Sequence, residues 1–176
     1  PIPTLEDLKN PLDEVIEPRA TQEEMTNFIE TELTESLKGL PTRTTQFGRF
    51  DKGLAYTILM KYYMHEKNWA KAEECGRELL KAEYGYGLMD RYADIFTLEN
   101  EGNKEIIFAC TEERGTNLQL WHDHALPGNY PTKNTSIQKW DGYKVPWPFY
   151  RTFEEGDDRL SVLVGEYVGT DGVLFN

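Results

Sequence analysis

The chain has 176 residues, 39% hydrophobic and 28% charged, with 31 acidic against 19 basic side chains and a net charge of -12. This is the composition of a folded domain with a core of its own rather than of a disordered tail, and no run of about 18 apolar residues is present to span a bilayer. Nucleic acid is disfavoured as a partner, because its binding rests on Lys and Arg neutralising phosphates and a pI near 4.7 opposes it.

Residues 1–20 are bounded by prolines and read as extended, with a short helical piece near Leu5 to Val15. Thr21-Gln22-Glu23-Glu24 then forms a capping box that opens the first helix, in which Thr21 accepts from the third amide on and Glu24 reaches back. Met25, Ile29, Leu33 and Leu37, with Phe28 beside them, lay an apolar stripe along it until Gly39 and Pro41 stop it. A second helix is expected over 51–65, burying Leu54, Ala55, Ile58, Leu59, Tyr62 and Tyr63. Asn68 caps a third over 69–82, with Trp69, Ala72, Cys75, Leu79 and Leu80 inward.

The small residues Ala55, Gly76 and Ala82 suit two helices that approach closely, and 51–84 has about the length of one TPR unit, roughly 34 residues. After Tyr84, Gly85-Tyr86-Gly87 breaks the helix. A helical turn at 90–96, a turn at Glu101-Gly102-Asn103 and one buried strand at 104–110 follow. Beyond that, aromatics, Gly, Pro and Asn dominate, with a short helix near 148–153. A long irregular stretch rich in aromatics points to a folded, functional surface. The expected fold is mainly α, TPR-like antiparallel helical hairpins with an appended loop-rich region containing a short strand or two. Residues 1–100 form the helical part and 101–176 the loop-rich, aromatic-rich part of one domain. Cys75 and Cys110 read as small buried apolar side chains, and no CxxC, HExxH or spaced His/Cys set supports a metal or other cofactor.

Several short runs recur in a recognisable order: Arg49-Phe50-Asp51-Lys52-Gly53-Leu54-Ala55, Asn68-Trp69-Ala70-Lys71-Ala72, Tyr84-Gly85-Tyr86-Gly87-Leu88, Tyr92 with Ile95-Phe96, and Asn103-Lys104-Glu105-Ile106-Ile107-Phe108. Pro18-Arg19-Ala20-Thr21 lies upstream, and Phe153, Gly156-Asp157 and Arg159 lie downstream. This order resembles the SusD/RagB family of nutrient-binding outer-membrane lipoproteins. Asn68 stands where that family often has Asp, and Leu54 where a small residue is common. The resemblance implies the central segment of a longer, surface-exposed protein, lipid-anchored through an N-terminal region outside this sequence. It further implies a non-catalytic protein that holds a glycan and delivers it to a SusC-like TonB-dependent transporter.

In such proteins the ligand lies against aromatic side chains on loops above the helical scaffold. An aromatic plane covers the C–H face of a pyranose at low entropic cost, and amides, carboxylates and guanidinium groups fix the hydroxyls. The ligand-binding candidates are Trp121, Asn117, His122, Asn129, Tyr130, Trp140 and Tyr143, with Gln119 and His124 nearby. Trp121 leads, because a core role is hard to see in its polar surroundings; Trp140 and Tyr143 have a competing structural reading, and Trp147 and Phe149 read as core.

His122, Asp123 and His124 invite an enzymatic reading, but no nucleophile motif accompanies them. The adjacent acids Glu154-Glu155 and Asp157-Asp158 do not supply the opposed pair that glycoside hydrolysis needs, and Asp157 with Arg159 reads as a turn-stabilising pair. The alternative function is a TPR-type module in nutrient uptake, binding peptide or protein on its helical surface.

Overall fold

A computed structural model of the chain describes residues 19–112 and 121–176, with the side chains of Trp121 and His122 outside the description. The fold is mainly helical with little strand, and it divides into two compact units, Pro1–Gly87 and Leu88–Asn176. The helical piece expected near Leu5 to Val15 lies outside the described residues. Among the described residues no helix is long and apolar enough to cross a membrane.

The first unit carries α1 (Gln22–Gly39), α2 (Lys52–His65) and α3 (Trp69–Leu79), followed by a 3-10 turn at Ala82–Tyr84. The capping box forms as the sequence dictates: Thr21 Oγ1 accepts from the Glu24 amide at 3.2 Å, and the Thr21 amide donates to Glu24 Oε2 at 2.8 Å. These bonds hold the Glu24 carboxyl below its usual range. Asp51 starts α2, its Oδ1 accepting from the Leu54 amide at 3.0 Å and its Oδ2 from the Thr44 amide at 3.3 Å. Both oxygens are therefore engaged, which is what lets a carboxylate sit buried there. Asn68 caps α3 through the Lys71 amide at 3.3 Å, and the preceding Lys67 makes the turn with φ 58°.

α2 and α3 pack against each other on Leu59, Tyr63, Ala72 and Cys75, with Leu33 and Leu37 of α1 against the same cluster. Lys71 ties α3 to α1 through Glu30 at 2.9 Å and lies over the Tyr63 ring. Burial raises the Cys75 thiol, so this cysteine is an apolar filler.

Met25 and Phe28 of α1 are exposed, because only Leu33 and Leu37 of its stripe pack against the core, and Ile58 of α2 is exposed as well. Trp69 is 62% exposed and Leu80 81% exposed. At 100° per residue both lie about a quarter turn off the arc of Ala72, Cys75 and Leu79 that faces α2. Of the three small residues only Ala55 is buried; Ala82 is exposed, and a Cβ on Gly76 would rest in ordinary contact 3.5 Å from the Met60 sulfur.

The residue that must be small is Gly53, where a Cβ would fall 2.0 Å from the Tyr86 hydroxyl oxygen. Tyr86 stacks on buried Tyr84, whose ring meets Tyr56 edge-on, and the Arg43 guanidinium lies over the Tyr86 ring at 4.5 Å while donating to the Tyr84 carbonyl. Burial pushes both the Tyr84 and Tyr86 hydroxyls up, with Glu78 adding to the first and Asp51 to the second.

The second unit contains 3-10 turns at Tyr92–Phe96, Leu98–Asn100 and Asp158–Val162, the short helices α4 (Trp121–Ala125) and α5 (Trp147–Tyr150), and a hairpin of β1 (Tyr167–Val168) and β2 (Leu174–Phe175). The strand expected at 104–110 does not form. It runs as an irregular half-buried segment ending in exposed Cys110. Polar side chains order it instead. Asn103 donates to the carbonyls of Ile95 and Asn100, and Glu105 accepts from the Met89 amide at 2.9 Å. In the hairpin, Tyr167 pairs with Phe175 and Val168 with Leu174. Gly169 is buried at its turn, where a Cβ would fall 2.5 Å from Asp171 Oδ1.

Candidate functional site

The expected ligand residues that the structure describes all belong to the second unit, and they separate into two clusters. α4 organises the first. The segment after residue 138 returns along the end of this helix, with the Trp140 amide donating to the Asp123 carbonyl at 2.7 Å and the Asp141 amide to the Leu126 carbonyl at 3.0 Å. The Gly142 and Tyr143 amides both donate to the His124 carbonyl, at 2.6 and 3.0 Å. Asp141 turns the chain with φ 54°, and a Cβ on Gly142 would come within 3.3 Å of the His124 carbonyl oxygen, so the close return needs a small residue there.

This backbone clasp places the His124 imidazole between two rings, 4.6 Å from Trp140 in an edge-on contact and 5.5 Å from Tyr143. Trp140 and Tyr143 are nevertheless exposed. The indole Nε1 donates to Gln138 Oε1 at 3.1 Å, and Lys144 pairs with Asp141 at 3.0 Å. The result is a set of fixed aromatic rings open to water on one side, edged by an amide and a charged pair. Such a surface covers an apolar face and supplies hydrogen bonds at its rim.

The second cluster is anchored on the hairpin. Asn129 Oδ1 accepts from the Tyr167 hydroxyl at 2.8 Å, and the Asn129 carbonyl accepts from the Thr170 amide at 2.9 Å. Tyr130 lies 5.0 Å from Tyr167, which stacks on Phe175. Lys139 links the clusters by donating to the Tyr130 carbonyl at 2.6 Å. Asn129 and Tyr130 are thus half-buried and bonded within the protein, and they brace the loop on which Trp140 stands.

Trp121 and His122 lie on α4, which places their backbone beside His124, while their side chains and all of Asn117 and Gln119 lie outside the described residues. His124, a sequence candidate beside the seven leading ones, is the pivot of the first cluster.

A larger correction concerns Trp147 and Phe149, expected in the core. Both are exposed, as is every residue from Trp140 to Thr152. Pro146 and Pro148 were the available signal, since a segment so punctuated joins neither a ladder nor a long helix. Asp157 and Arg159 form the expected turn pair, with Arg159 Nε at 2.9 Å from Asp157 Oδ1, and the guanidinium holds this carboxyl at about 2.

No group of three or more His, Cys, Asp or Glu side chains converges as a metal site among the described residues. No family model, curated protein or solved structure matches the chain.

Proposed function

We propose that this chain is a glycan-binding segment of a SusD/RagB-like surface protein, with a TPR-like helical hairpin as scaffold and the aromatic segment of the second unit as the binding surface. The observation that carries the reading is the fixed, water-exposed ring set of Trp140 and Tyr143 around His124. Exposed rings held by backbone hydrogen bonds are pre-organised, so a ligand that covers them gains contact without ordering the loop first. Sugar rings suit this surface, having an apolar C–H face and a polar rim.

On this reading the protein captures oligo- or polysaccharide without cleaving it and passes it to a SusC-like TonB-dependent transporter at the cell outer membrane, where the longer parent chain is lipid-anchored. The motif order quoted above supports this assignment. The second reading, a peptide-binding TPR-type module, is favoured by exposed Trp69 and Leu80 on one flank of α3.

Affinity-gel electrophoresis against a panel of polysaccharides, with analysis of reducing ends, separates the possibilities. Retardation by one glycan, lost in Trp140→Ala and Trp121→Ala and without accumulation of reducing ends, is the expected outcome. Retardation by none of them moves the assignment to peptide recognition, and accumulating reducing ends would make the protein a hydrolase.

A further inference from the structure

Histidine is the side chain whose charge ordinarily changes in the range of about pH 5 to 8, and one of the three in this chain, His124, stands between the exposed rings of Trp140 and Tyr143. Its imidazole lies 4.6 Å from the first ring and 5.5 Å from the second. Both distances fall inside the range of about 6 Å over which a cation is drawn to an aromatic ring. His124 is half-buried, and a Cβ on Gly142 would lie 3.8 Å from its Nδ1, so the imidazole is seated against the returning backbone yet still touches water.

The hold on Trp140 runs through this contact. Its indole Nε1 donates to Gln138, two residues away on the same segment. Among the described residues the ring it meets on another element is that of His124, and the indole is otherwise open to water, with Trp140 45% exposed.

The charged groups nearby come from the two segments that meet here. On the returning segment Lys144 pairs with Asp141 at 3.0 Å, and Lys139 donates to the Tyr130 carbonyl at 2.6 Å. On α4 the adjacent Asp123 is buried, and the side chain of His122 lies outside the described residues. With both lysines bonded elsewhere, a proton on His124 puts a positive charge between the two rings.

We infer that His124 is a proton-sensitive clamp on this surface: the imidazolium draws Trp140 and Tyr143 onto itself and firms the ring set, and the neutral imidazole leaves the indole loosely held. The inference deepens the glycan-binding reading and rests on it for one consequence, that capture is tighter in mild acid than in mild alkali. The clamp itself is tested without ligand.

Nitrogen-15 NMR of the full chain can follow the Trp140 indole N–H, identified as the signal lost in Trp140→Phe. Over about pH 5 to 8 it should move along one titration curve in the wild type and stay still in His124→Gln and His124→Phe. The second variant keeps a ring at that position without the charge. His122→Gln should leave the curve intact, and circular dichroism confirms that each variant folds. In affinity gels with the glycan that retards the protein most, wild-type binding should be about two- to fivefold tighter at the acid end of that range, and His124→Phe should show no such dependence. A Trp140 signal that ignores pH, a curve that survives both His124 variants, or one abolished by His122→Gln overturns the clamp while leaving glycan capture standing. Tighter binding at the alkaline end overturns it too. The expected curve with retardation by no glycan removes the glycan reading and leaves the clamp.

Discussion

The two units use aromatic residues in opposite ways. In the helical unit Tyr84 is buried between Tyr56 and Tyr86, and Tyr86 lies so close to α2 that only glycine fits beneath its hydroxyl. In the second unit Trp140, Trp147 and Phe149 are equally constrained by backbone hydrogen bonds and ring contacts, yet they face water. The same kind of side chain stabilises the fold in one place and is displayed in the other. The distinction lies in what surrounds each ring: helix faces that can close over the tyrosines, and proline-punctuated turns that cannot.

That contrast should be measurable as a difference in the cost of truncation. Leu59→Ala, in the centre of the α2–α3 core, should destabilise by about 2–5 kcal/mol in denaturant unfolding. Asp51→Ala removes the α2 cap and leaves the Thr44 amide without its buried acceptor, and should cost about 1–3 kcal/mol in the same assay. Gly53→Ala forces Tyr86 off its seat, at a cost of about 1–3 kcal/mol. Tyr86→Ala in that background should recover part of the loss, and a purely additive double variant would refute the steric explanation. Trp147→Ala, by contrast, should change stability by no more than about 0.5 kcal/mol. A loss as large as that at Leu59 would mean the ring is part of a core.

The alkaline limb sharpens the same contrast in another currency. Tyr56, Tyr63, Tyr84 and Tyr86 of the helical unit all have hydroxyl pKa values raised by burial. Their folded-state values therefore exceed the unfolded value of about 10. The stabilisation linked to them is fully present below that pH and is lost as pH rises through the folded values. Unfolding followed from pH 8 to 12 should show stability falling above about 10, and a flat profile would contradict the tyrosine packing. The smallest expected effect is at Lys67, whose φ of 58° favours glycine, so Lys67→Gly should stabilise by up to about 1 kcal/mol.

Local chemistry made the helix boundaries legible. Thr21 with Glu24, and Asn68, cap as the sequence says they must, because each cap involves residues within three positions of one another. The Gly53–Tyr86 contact was not legible, since it joins residues far apart in the chain and no periodicity encodes it. Trp69 misled because its place at the head of a helix fixes neither its azimuth nor its burial. The segment 104–110 differs for a related reason: an apolar run specifies burial, and here Asn103 and Glu105 hold it in an irregular, half-buried path. In the candidate site, Trp140 and Tyr143 were legible as ring-bearing loop residues. Trp147 and Phe149 read as core by size and apolarity, whereas the flanking Pro146 and Pro148 confine them to an exposed turn.

Two exposed tryptophans, one in each unit, allow the most direct test of where the ligand binds. Trp69→Ala and Trp140→Ala should be compared side by side with wild type in affinity gels containing the glycan that retards the protein most. Glycan capture by the aromatic segment predicts that Trp140→Ala migrates as if no glycan were present while Trp69→Ala is retarded like wild type. Loss of retardation in Trp69→Ala with Trp140→Ala unaffected would place binding on the helical unit and contradict the proposed function.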